Sequence, residues 1–88
     1  AKVDPRLYAR FVGRYQLGSA VFDITAKGGR LFAKLSGQRQ LEIFPESEYR
    51  YFYKAVDAVL SFEKDAAGNI EAVTLDQDGS KLRAQRLD

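Results

Sequence analysis

The chain has 88 residues with no cysteine and no histidine, so a disulfide staple, an imidazole base and an ordinary zinc site are all excluded. Fourteen Lys and Arg against twelve Asp and Glu leave a net charge of +2, interspersed along the chain, which describes a solvated surface rather than a polyanion-binding stripe. A hydrophobic fraction of 45%, with six Phe and five Tyr, marks a globular chain, and no apolar run reaches the ~18 residues of a membrane helix.

The N-terminus, Ala1-Lys2-Val3-Asp4, has neither an initiator Met nor an apolar signal region, and reads as an excised piece of a longer protein or a processed one. Asp4 as N-cap and Pro5 at the first helical position predict a short helix over Pro5 to Phe11. Its apolar residues Leu7, Tyr8 and Phe11 subtend one side of a helix. So short a helix must pack on something, and the expected partner is the end of a barrel, with Leu7 and Phe11 buried.

Strands follow in quick order, set by alternation and turn residues. They are expected at Arg14 to Leu17, Val21 to Ala26, Arg30 to Leu35, Gln40 to Phe44, Tyr49 to Lys54, Ala58 to Lys64, Ile70 to Asp76 and Lys81 to Leu87. Gly18-Ser19, Lys27-Gly28-Gly29, Ser36-Gly37, Asp65 to Asn69 and Asp78-Gly79 separate them, and Pro45 stops the fourth. Every connection is too short for a parallel crossover. The expected fold is therefore all-β: an antiparallel up-and-down meander of roughly eight strands closed into a small barrel, one domain over residues 1–88.

No catalytic constellation emerges. The serines lack a histidine base, and Ser19, Ser36 and Ser80 sit in predicted turns. Glu46 with Glu48, and Asp76 with Asp78, fall at exposed hairpin ends rather than in a cleft. Aligning Asp76-x-Asp78-Gly79 on a calcium loop puts Thr74 first and Gln85 last, which fails at both ends. Lys27-Gly28-Gly29-Arg30 lacks phosphate-loop spacing and a following helix. No cofactor, metal or catalytic residue is expected. The most distinctive stretch is Tyr49 to Lys54. Alternation puts Tyr49, Tyr51 and Tyr53 on one face and Arg50, Phe52 and Lys54 on the other. The tyrosine face is expected to point outward as a protein-contact surface.

Tyr8-Ala9-Arg10-Phe11-Val12-Gly13-Arg14-Tyr15 resembles the Y-V-G-x-Y opening of a family of small domains of unknown function. That family is appended to the C-terminus of bacterial serine hydrolases of the beta-lactamase and penicillin-binding-protein class. Gly29 to Ala33, Leu41 to Glu48 running into Phe52 to Ala58, and Phe62 to Gly68 completed by Leu75 to Gly79 fit it as well. The resemblance covers nearly the whole chain. It implies a lipocalin-like barrel and a non-catalytic accessory role beside a preceding serine hydrolase domain in the same polypeptide. It also implies a periplasmic or extracytoplasmic location. Two alternatives come from the residues. One is a barrel holding a small apolar ligand, lined by Phe22, Ile24, Phe32, Leu60 and Phe62. The other is a single-stranded nucleic-acid binder that stacks bases on the tyrosines, which the low net charge disfavours.

Overall fold

In the computed structural model, which describes residues 3–88, the chain is an eight-stranded antiparallel barrel with a short helix at one end. The helix covers Pro5–Arg10 and is capped as expected: the Asp4 carboxylate accepts a hydrogen bond from the Arg6 amide at 3.0 Å. It is a 3-10 helix rather than an α-helix, with the Leu7 amide bonded to the Asp4 carbonyl and the Phe11 amide to the Tyr8 carbonyl. Residues three apart eclipse in that geometry. Tyr8 and Phe11 therefore share one line and both are buried, whereas Leu7 turns away and is half-buried. The expectation that Leu7 would be buried is corrected on that ground.

The strands are β1 Gly13–Leu17, β2 Ala20–Lys27, β3 Arg30–Leu35, β4 Leu41–Pro45, β5 Arg50–Tyr53, β6 Ala58–Lys64, β7 Ile70–Gln77 and β8 Ser80–Arg86. Each pairs with the next, and β8 returns to β1 through Tyr15 opposite Arg86 and Gln16 opposite Gln85. Two turns show why the glycines fall where they do. Asp78 and Gly79 take φ of 52° and 78°, and Gly28 and Gly29 take 60° and 75°, the paired positive values of tight hairpins that match strand twist. Pro45 does not stop β4 but forms its last residue, opposite Tyr51.

The interior is filled, not hollow. Tyr15, Tyr51, Phe11, Phe22, Ile24, Leu31, Ile43, Leu60 and Val73 are fully enclosed. Nearest the helix the filling is aromatic: Phe11 lies 4.5 Å from Phe62 and 5.5 Å from Tyr51, and Tyr8 meets Tyr51 edge-on at 5.9 Å. The helix thus plugs one mouth of the barrel, with Phe11 as the stopper. Toward the other mouth the lining shrinks to Ala33 and Ala58.

Candidate functional site

The two mouths differ in chemistry. At the plugged mouth one side chain ties four segments together. The Arg86 guanidinium donates from Nη1 to the Arg10 and Ile70 carbonyls at 3.1 Å each, and from Nη2 to the Val12 carbonyl at 2.7 Å. It lies 5.7 Å from the centre of the Tyr15 ring, and its buried Nε has no acceptor among the described residues. Gly13 makes this closeness feasible, since a Cβ there would stand 3.1 Å from Nε and 3.0 Å from an Asp88 carboxylate oxygen. Arg10 reaches outward to Glu48 at 3.1 Å and to the Tyr49 hydroxyl at 3.1 Å. These contacts serve closure. Carbonyls at the end of the helix, ahead of β1 and at the start of β7 are satisfied by one arginine.

At the opposite mouth lies a pocket of about 110 Å³. Its walls are apolar, from Phe22, Ala33, Leu35, Leu41, Ala58 and Leu75, with Val56 beside the opening. Tyr53 lines it, and burial pushes its phenol up to about 12. Gln38, Arg39 and Gln77 contribute the polar part. No side-chain hydrogen bond or ion pair engages Tyr53, Gln38, Arg39 or Gln77 among the described residues.

The expected interaction surface does not point outward. Tyr51 is fully buried, and Tyr49 and Tyr53 are half-buried against the core. Arg50, Phe52 and Lys54 take the outer face. Water solvates the two charges there, while Tyr51 satisfies its hydroxyl on the Glu48 carbonyl at 2.9 Å. The nucleic-acid alternative loses its stacking platform by the same fact. Of the expected lining, Phe22, Ile24, Leu60 and Phe62 are inside. Phe32 is not: Leu31 and Ala33 fill the interior, and Phe32 alternates to the outside opposite Thr25 and Glu42. Only Phe22 of the five lines the pocket.

An outer aromatic pair escaped the sequence reading. Phe44 and Phe52 are cross-strand neighbours with ring centres 5.8 Å apart, Lys54 Nζ sits 4.0 Å over the Phe44 ring, and Val59 continues the row on β6. The available signal was Phe52 sharing a face with Arg50 and Lys54. Glu46 is paired to Arg50 and Glu48 to Arg10, at 3.1 Å each, so neither is a free acid in a cleft. Among the described residues no group of three His, Cys, Asp or Glu side chains could hold a metal ion, and no helix is long and apolar enough to cross a membrane.

A family model described as Domain of unknown function (DUF3471) matches residues 1–86. Penicillin-binding protein 4* of Bacillus subtilis (strain 168) is 38% identical over 88 residues, a match that covers 96% of this chain and 19% of that protein. The chain thus spans about a fifth of the length of the curated relative it matches. No solved structure matches it.

Proposed function

The chain belongs to the DUF3471 family, and from that premise we propose that it is a non-catalytic accessory domain of a serine hydrolase of the beta-lactamase and penicillin-binding-protein class. In this reading it packs on, or near the active site of, the hydrolase domain of the same polypeptide and modulates access of substrate. The observation that carries it is the 38% identity to a stretch of a penicillin-binding protein five times the length of the match. The absence of histidine and cysteine from the sequence supports the non-catalytic part, because neither an imidazole base nor a thiol nucleophile is available. A periplasmic or extracytoplasmic setting is part of the same reading.

The surface assigned to the hydrolase contact is the outer row of Phe44, Phe52 and Val59, which replaces the tyrosine face. Phe44 and Phe52 are large rings left half-exposed on one sheet face, and aromatic residues are enriched at protein contacts. The test uses the parent polypeptide with and without residues 1–86. Turnover of a chromogenic β-lactam and of a simple ester, together with the melting temperature, is compared for the intact protein, the truncation and Phe52→Glu. Truncation and Phe52→Glu are expected to change KM or the melting temperature in the same direction, while the isolated domain turns over neither substrate. A parent protein indifferent to removal of the domain overturns the accessory reading. Serine-dependent turnover by the isolated domain overturns the non-catalytic one.

A further inference from the structure

The pocket at the open mouth is independent of the hydrolase reading and of the aromatic cluster that holds the fold together. Its features do not look like leftover core. Core positions are expected to pack without voids larger than a water molecule. Here two small residues, Ala33 and Ala58, stand where the adjoining strands present Phe22, Leu41 and Leu75, and about 110 Å³ is left open to solvent. The volume is small. Drug-sized ligands fill roughly 300–1,000 Å³, whereas a cavity of about 150 Å³ holds one benzene. The guest is therefore a group of roughly four or five carbons on the same scale.

The polar part narrows the class further. Arg39 is the only charged residue in the lining, exposed and without an acid partner among the described residues. Tyr53 brings a phenol that stays neutral, and so a hydrogen-bond donor, throughout the physiological range, because burial disfavours its anion. Donors thus outnumber committed acceptors at the edge of an apolar cup. A neutral alcohol leaves the guanidinium unused, and a cation is repelled by it.

We infer that the open mouth of the barrel binds a short aliphatic group bearing a carboxylate, with the aliphatic part among Phe22, Leu41 and Leu75 and the carboxylate at Arg39 and Tyr53. Such a group occurs as a free short-chain acid and as the C-terminal residue of a peptide ending in an aliphatic side chain.

The experiment is an amide-resolved NMR titration of the isotope-labelled chain with four probes: sodium pentanoate, pentan-1-ol, acetyl-Gly-Leu with a free carboxylate, and the amide of that peptide. Saturable shifts at Ala33, Leu41, Tyr53, Ala58 and Leu75 are expected for both carboxylates, with a dissociation constant of roughly 1 mM, as few heavy atoms allow. Arg39→Gln, on the exposed rim where folding is not at stake, should weaken both carboxylates about tenfold. It should leave pentan-1-ol where it was. Tyr53→Phe should weaken the carboxylates in the same way while keeping the ring. Tighter binding of the peptide acid than of pentanoate assigns the site to a chain end, and the reverse order assigns it to a free acid. The inference is overturned by shifts that do not saturate or that fall outside the pocket. It is equally overturned if acid and amide, or pentanoate and pentan-1-ol, bind alike in the native chain and in Arg39→Gln. Neither outcome bears on the hydrolase contact, which is read on the outer face in a separate assay.

Discussion

The helix register makes the sharpest demand on the structure. Phe11 is fully enclosed, with ring partners Phe62, Tyr51 and Tyr49 at 4.5, 5.5 and 6.0 Å. Truncating such a residue removes its transfer free energy and leaves a cavity, which costs about 3–5 kcal/mol. A domain of 88 residues has roughly 4–13 kcal/mol of total stability. Phe11→Ala should therefore lower the melting temperature by roughly 15–30 °C, followed by circular dichroism on heating and by urea unfolding. Tyr8, 5% exposed and edge-on to Tyr51, should respond nearly as strongly to Tyr8→Ala. Leu7 is the control. A half-buried leucine loses about 1 kcal/mol of burial on truncation, so Leu7→Ala should shift the midpoint by only about 4–8 °C. Equal losses at Leu7 and Tyr8 would mean that the segment is α-helical in solution. Phe11→Ala melting within about 4 °C of the native chain, less than 1 kcal/mol, would mean that the segment does not plug the barrel.

Arg86→Ala strips donors from three carbonyls at the closed mouth and should cost about 2–4 kcal/mol in urea unfolding; Arg86→Lys should recover only part, because one ammonium cannot reproduce the planar fork. Gly13→Ala should cost about 1–2 kcal/mol, since its Cβ meets the Arg86 and Asp88 side chains at 3.0–3.2 Å and φ is 156°; a neutral result would show that both side chains move aside freely. Alkaline unfolding should be early. Burial pushes the phenols of Tyr15 and Tyr53 up to about 12 and that of Tyr51 upward too, so the native state holds their protons after the unfolded chain has begun to release them near pH 10. Stability should be full below about pH 10 and fall from there to about pH 12, by on the order of 2–3 kcal/mol for Tyr15 alone; a flat stability curve between those pH values refutes the burial of these hydroxyls.

Much of this molecule was legible in the residues. The eight strands and their hairpins follow from short alternating runs cut by Gly28-Gly29 and Asp78-Gly79, whose required positive φ only a few residue types supply. Two misreadings were also avoidable. Phe32 shares a face with Arg30 and Lys34, and Phe52 with Arg50 and Lys54, so the charges marked those faces as solvated. Alternation with those charges places Phe32 outside and Tyr51 inside.

Other features were not legible at any level of care. Local capping at Asp4 and Pro5 predicts a helix start but does not choose 3.6 residues per turn over 3.0. The fit of Tyr8 and Phe11 against Tyr51 and Phe62, residues some forty to fifty positions away, made that choice. Closure rests on Tyr15 and Gln16 meeting Arg86 and Gln85 across the length of the chain, with Arg86 gathering carbonyls from Arg10, Val12 and Ile70. The open pocket depends on Ala33 and Ala58 lying at the same depth on strands β3 and β6, which share no ladder. Alternation is a property of neighbours along the chain, and so the sequence by itself settled the strands and the turns. Helix pitch, ring closure and cavity volume are sums over residues distant in sequence, and only the folded barrel brings those residues together.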